Sequence, residues 1–224
     1  MTRTALLVAL LAGCTATTHT GAPRQTVSRG APTAVTLEEL LALGASAEGC
    51  PAGALLKLEG GINDLTAAKL AGELEACKGR AVVISIDSGG GEVFAAQTMQ
   101  KAIEAHDRPV LCVVDGLAAS AAFVTLQSCT TRYMTERSIL MAHEGSVSTG
   151  GQSQELTNGA ELLRVLNWGM AAFCARRMGL TVEAFQSHVS GGQEWWLSQA
   201  DALHEHAIDG PALNVAEVVR LAAL

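Results

Sequence analysis

Residues 116–123 read Gly-Leu-Ala-Ala-Ser-Ala-Ala-Phe, with one polar side chain, Ser120, among small apolar neighbours. The run before it, Pro109-Val110-Leu111-Cys112-Val113-Val114, has the apolar, β-branched character of a buried strand. The run from Ala118 to about Ser128 reads as a helix that is apolar on nearly every side, and a helix without a polar face is a buried one. Ser120 therefore stands where a core strand turns into a core helix. Its hydroxyl there lies close to unpaired N–H groups and to the positive end of the helix dipole. A nucleophile that must generate and then stabilise an oxyanion suits that position. Serine is also a common helix cap and packing residue, so this stretch alone leaves both roles open.

Working outward, Arg80-Ala-Val-Val-Ile-Ser-Ile-Asp87 is another apolar strand, and it runs into Ser88-Gly89-Gly90-Gly91-Glu92-Val93. A triple glycine after a buried strand lets the backbone take positive φ and bring its N–H groups close to a ligand. It also serves as a plain strand-to-helix turn. Downstream, Ser138-Ile-Leu-Met-Ala-His143 is a third apolar strand, ending in a histidine. Most such histidines are structural. Beside a candidate serine on the preceding strand–helix unit, His143 becomes a candidate general base.

The punctuation of the chain supplies the other elements. A short helix is expected over Leu37–Leu43, a strand over Ala54–Glu59 and a helix from Asn63 to Cys77 with Asn63 or Asp64 near its cap. A helix from Val93 to about His106, strands near Arg132 and Ser138, a long helix from about Gln152 to Met178 and a shorter one over Val182–His188 complete the series. Strands alternating with helices imply an α/β fold with right-handed crossovers and a mostly parallel sheet.

In order and spacing, the glycine turn, the Gly-x-Ala-Ala-Ser helix start and the strand-end histidine resemble the proteolytic subunit of Clp protease (ClpP), over about Leu55 to Gly210. The resemblance implies a ClpP/crotonase-like fold, a spiral of repeated β-β-α units. It assigns the nucleophile to Ser120, the base to His143 and the oxyanion-hole N–H groups to Gly91 and Ala121. In that family an acid precedes an aromatic–Leu–Ser/Thr stretch. Here the stretch reads Glu194-Trp195-Trp196-Leu197-Ser198, followed by Ala207-Ile208-Asp209-Gly210. The acid is then Glu194 in place of the family's Asp; a carboxylate is retained, but with a longer reach. Asp201 is the alternative acid. A second departure is Gly89, where the family has proline. The long helix implies association between copies of the chain.

Composition agrees with an enzyme domain: 224 residues, 49% of them hydrophobic, can bury a sizeable core. A net charge of −7 without a basic run argues against nucleic-acid binding. In His204-Glu205-His206 the two histidines are alternate residues that point apart on a helix, with no third ligand evident. No metal or cofactor is expected. His19, His106 and His188 read as tether or surface residues, and Trp195-Trp196 as packing beside the acid loop.

The N-terminus has the form of a leader. Met1-Thr2-Arg3 is a short basic region, Thr4–Leu11 is apolar but too short to span a bilayer, and Leu11-Ala12-Gly13-Cys14 follows. This end resembles a bacterial lipobox, in which cleavage precedes the cysteine and lipid is attached to it; an ordinary secretory signal is the other reading. The organisation expected is a signal peptide over 1–13, a flexible tether over 14–36 and a ClpP-like peptidase domain over 37–224. The protein would be exported and held at a membrane of the cell envelope, facing the periplasm, through Cys14.

Export favours disulfides. Cys50 precedes the Ala54 strand, which advances about 17–20 Å, and Cys77 ends the helix that returns roughly 21 Å, so the two cysteines are expected to bond. Cys112 and Cys174 read as buried free thiols, and Cys129 is left open.

Three functions compete. The first is a serine peptidase acting on peptides or unfolded proteins. It would work as a homo-oligomer without an ATPase partner, because an exported enzyme has no ATP around it. The second is a crotonase-like acyl-CoA enzyme, which needs the oxyanion hole but not the serine–histidine pair. The third is an inactive scaffold of the same fold. Serine–lysine chemistry is disfavoured, because Lys57, Lys69, Lys78 and Lys101 all precede Ser120.

Overall fold

A computed structural model describes residues 49–148 and 150–223. Cys14, His19, the leader and the Leu37–Leu43 segment lie outside the described residues.

Among the described residues, seven strands and seven α-helices follow one another: β1 (Leu55–Ile62), α1 (Asp64–Ala76), β2 (Val82–Gly91), α2 (Val93–Ala105), β3 (Val110–Ala119), α3 (Ala121–Leu126), β4 (Thr131–Thr135), β5 (Ile139–His143), α4 (Ser153–Met178), α5 (Val182–Val189), β6 (Glu194–Leu197), α6 (Gln199–His204), β7 (Gly210–Ala212) and α7 (Val215–Ala222). The strands form one sheet in the order β1-β2-β3-β4-β7, with β5 paired to β3 and β6. Every pair is parallel except β5–β6. The fold is thus α/β with a mostly parallel sheet. Asn63 caps α1: its Oδ1 accepts from the Thr66 N–H at 3.0 Å, and its own N–H donates to Thr66 Oγ1 at 2.9 Å.

Strands β2 and β3 are apolar without alternation because both of their faces are covered. Ile84, Ile86, Cys112 and Val114 face a core shared with α1, α2 and α3. Val83, Leu111 and Val113 face the opposite way, onto a smaller cluster with Val218 of α7. The residues between Val110 and Val114 are almost fully buried as a result.

Strand β3 serves two neighbours in succession. Leu111–Val114 pair with β4, and Leu117–Ala119 pair with β5. This corrects the expected start of the serine helix. Ala118 and Ala119 are strand residues, held by pairing with Leu140 and Met141, and the helix begins only at Ala121. The glycines 89–91 likewise belong to the end of β2, not to a turn after it: Gly90 and Gly91 register against β1, and Gly89 sits at a shift in that register.

Cys50 and Cys77 are joined, with Cα atoms 4.7 Å apart. Cys112, read from sequence as a free thiol, is instead joined to Cys129. The sequence reading overlooked that the chain leaves β3, forms α3 and returns to start β4 beside β3, which brings residue 129 back over residue 112. Cys174 is free and buried, and burial pushes its thiol well above the ordinary value.

Helix α4 has 26 residues, but its buried side chains are Ala171, Cys174, Ala175 and Met178, all in the last third. Leu156, Leu162, Val165 and Trp168 stand about half exposed. Among the described residues no helix is long and apolar enough to cross a membrane.

Candidate active site

Ser120 joins β3 to α3 with φ 56° and ψ −122°, a backbone conformation that costs a non-glycine residue about 1–3 kcal/mol. Its N–H donates to the Met141 carbonyl at 2.9 Å, which locks the elbow onto β5. Its side chain makes no cap bond to the helix. Ser120 Oγ instead lies 2.7 Å from His143 Nε2. The register explains the meeting: Ala119 pairs with Met141, so His143, two residues further along β5, lies beside the residue that follows Ala119.

The glycine segment closes in from the other side. A Cβ on Gly90 would sit 2.6 Å from the Ala119 carbonyl and 2.8 Å from both the Ala121 nitrogen and Ser120 Cβ. Its φ is +89°. Only glycine fits against the serine there. The Gly90 N–H is committed to Ser88 Oγ, which accepts it at 3.1 Å. The Ile62 carbonyl takes the Glu92 N–H at 2.9 Å, and the alternation of a parallel ladder turns the intervening Gly91 N–H to the edge away from β1, toward β3. Ala121 opens α3, where an N–H has no partner within the helix.

Glu194 is opposite His143 in the antiparallel β5–β6 pair. Its carboxylate accepts the indole N–H of Trp196 at 3.0 Å. Among the described residues no carboxylate hydrogen-bonds to the remaining nitrogen of His143. Asp201 stands apart from the site: it closes the capping box of α6 with Ser198, whose hydrogen bonds hold its carboxyl below the ordinary value. His188 is not a plain surface residue, since its ring stacks on Trp195 at 3.9 Å. His106 Nε2 lies 2.9 Å from the Arg80 carbonyl. Among the described residues no group of three or more His, Cys, Asp or Glu is placed to hold a metal.

A groove of about 770 Å³ runs past Ser120 and His143 between α2 and α4. Its walls are mostly apolar and include Phe94, Val124, Leu163, Met170 and Phe173. Asn167 of α4 accepts the Gly145 N–H at 2.8 Å, fastening the segment after His143 to the groove wall.

Sequence reasoning missed the support at the far end of α3. Arg132 is almost fully buried. Its Nη2 donates to Asp209 Oδ1 at 2.6 Å and its Nε to Oδ2 at 3.0 Å, a two-pronged pair. Its Nη1 donates to Gln127 Oε1. Arg177 of α4 donates to the carbonyls of Gln127 and Cys129 at 2.7 and 2.6 Å. Burial alone would raise the Asp209 carboxyl, but the hydrogen bonds from Arg132 and the charges of Arg132 and Arg177 outweigh it and hold the carboxyl below its ordinary value. The only sequence signals for this network were an arginine at the head of an apolar strand and the Asp209 of the closing motif.

Fold and elbow together define an α/β protein that carries a serine–histidine pair where a strand turns into a helix. The family model for Clp protease matches residues 54–210, and the chain belongs to that family. A solved structure of similar fold is an asparagine-to-aspartate mutant of ClpP1 from Listeria monocytogenes. Its TM-score is 0.67 at 20% identity, and the match covers 73% of this chain and 93% of that one. No curated protein sequence matches the chain.

Proposed function

We propose that the protein is a serine peptidase that cleaves peptides or unfolded segments by acyl transfer. The observation that carries this reading is the 2.7 Å contact between Ser120 Oγ and His143 Nε2 at a strained elbow. The hydroxyl proton passes to Nε2 as Oγ attacks the peptide carbonyl carbon. The negative charge that develops on the carbonyl oxygen is met by the N–H groups of Gly91 and Ala121. The imidazolium then gives its proton to the leaving amine, and water repeats the sequence to free the acyl group. Glu194 is the acid that orients His143 and offsets its charge, supported by its place opposite His143 in the ladder. The apolar groove beside Ser120 accepts substrate side chains of matching character.

The same reading makes the enzyme an exported lipoprotein tethered through Cys14 and independent of an ATPase. The leader pattern supports this, as do two disulfides in a domain of this size. The exposed apolar side chains of α4 support self-association.

Mass spectrometry after treatment with a fluorophosphonate tests the chemistry. The expected result is a single adduct on Ser120, lost in Ser120→Ala together with at least about 10⁴-fold of peptidase activity. An unlabelled Ser120 in the wild-type protein sinks the reading. The same spectra report whether the mature chain begins at a lipidated Cys14.

A further inference from the structure

The paired tryptophans of β6 point to opposite faces of the sheet, as neighbours on a strand must. Trp195 turns inward, edge-on to Phe185 at 5.9 Å and stacked on His188. Trp196 turns to the other face and is 52% exposed. Residues two apart share a face, and so do residues directly opposed in an antiparallel pair. Met141, His143, Glu194 and Trp196 therefore form one square patch, with Met141 opposite Trp196 and His143 opposite Glu194. Within it, Trp196 Nε1 donates to Glu194 Oε2 at 3.0 Å.

We propose that Trp196 is a positioning residue that tethers the Glu194 carboxylate by one oxygen, so that the other faces His143. This rests on the role given to Glu194 above. A glutamate has one more rotatable bond than an aspartate, and at an exposed strand position that bond is free to swing the carboxylate away from the imidazole. A carboxylate has lone pairs enough for two donors on separate oxygens. The indole N–H occupies Oε2 and leaves Oε1 for the imidazole N–H. Tryptophan is the apolar side chain that brings a donor with it. The longer acid and the donor two residues away are thus read as one device.

Trp196→Phe keeps an aromatic ring at a half-exposed position and removes the N–H, so folding is preserved. In the full-length protein its kcat for a peptide substrate should fall about three- to tenfold, the worth of one hydrogen bond, with KM unchanged. In a Glu194→Gln background the same change should cost almost nothing further, because Trp196 acts only through the carboxylate. The indole N–H resonance of Trp196 should shift on Glu194→Gln, a readout independent of activity. Equal losses in both backgrounds, or a gain in activity for Trp196→Phe, would overturn the tether. The two failures are separable. Additive losses with Ser120 still labelled by fluorophosphonate remove this inference alone, whereas an unlabelled Ser120 removes the peptidase reading beneath it.

Discussion

At its N-terminal end, helix α3 meets a serine in a disfavoured backbone conformation, a glycine pressed against it and an open groove. At its C-terminal end, six residues away, the chain is held by two arginine side chains, a buried glutamine and a disulfide from Cys129 to Cys112. The serine end is strained and partly open; the far end is satisfied and closed. A helix this short has little stability of its own. Strain of about 1–3 kcal/mol persists only where the surroundings over-determine it; here the Ser120 N–H bond to Met141 holds one end of the short helix and the clamp on Gln127 and Cys129 holds the other.

Substitutions at the two ends should therefore fail in different ways. The largest effect is expected for Gly90→Ala, whose methyl group would overlap the Ala119 carbonyl and Ser120 Cβ. It should cost about 10²-fold or more in kcat/KM by displacing the serine. A variant that cleaves peptide at the wild-type rate would show that the elbow yields.

Next is the double change Cys112→Ala with Cys129→Ala, which opens a loop containing Ser120. The bridge spans 17 positions, and its loss should lower unfolding free energy by about 3 kcal/mol in urea titrations. Activity of the remaining folded protein should change much less. A loss of activity with stability intact would invert the comparison.

The Arg132–Asp209 pair gives a pH signature. The Asp209 carboxyl is held below its ordinary value, so its contribution is complete above the unfolded carboxyl range near about 4 and is lost as pH falls through the folded value. Asp209→Asn should thus lower Tm at pH 7, and the gap to wild type should close on acidification toward pH 3. A gap that stays constant with pH would mean that the ion pair contributes by packing alone.

The smallest effect sharpens the comparison from the reactive side. Ser120→Gly should be more stable than Ser120→Ala by about 1 kcal/mol, because glycine accepts positive φ without cost. Both variants should be inactive. Equal stability would show that the elbow stores no strain.

Sequence patterns revealed the parts of the site built from local runs. The apolar strands that end at Ala119 and His143 and the glycines beside them each occupy a continuous stretch, and the spacing of those stretches follows from parallel pairing. The arginine clamp was not legible, because Gln127, Arg132, Arg177 and Asp209 are scattered over more than 80 residues of the chain and look like surface residues one at a time. The Cys112–Cys129 bond was hidden for a related reason: its partners meet only after the chain has made a strand, a turn and a helix. Strand β6, helix α6, strand β7 and helix α7 are three to eight residues long, too short for a hydrophobic period to show. Glu194 stands out in the sequence as a candidate acid through its place before Trp-Trp-Leu-Ser, but its bond to Trp196 does not, since an exposed carboxylate has several possible partners.

The bond between Cys50 and Cys77 gives the domain a mechanical property. Any pull arriving from the N-terminal side reaches Cys50 before it reaches β1, and the covalent bridge carries it across to the end of α1. Strand β1, which forms the edge of the sheet against β2, lies inside the bridged loop and bears none of the load. An edge strand attached directly to a tether would be peeled one hydrogen bond at a time, each yielding at low force. Helix α1 lies inside the same loop, so here the force passes on through residues 78–81 to β2, a strand held between β1 and β3. The bridge turns a zipper into a rivet, and a chain held at one end can be tugged without unravelling from that end.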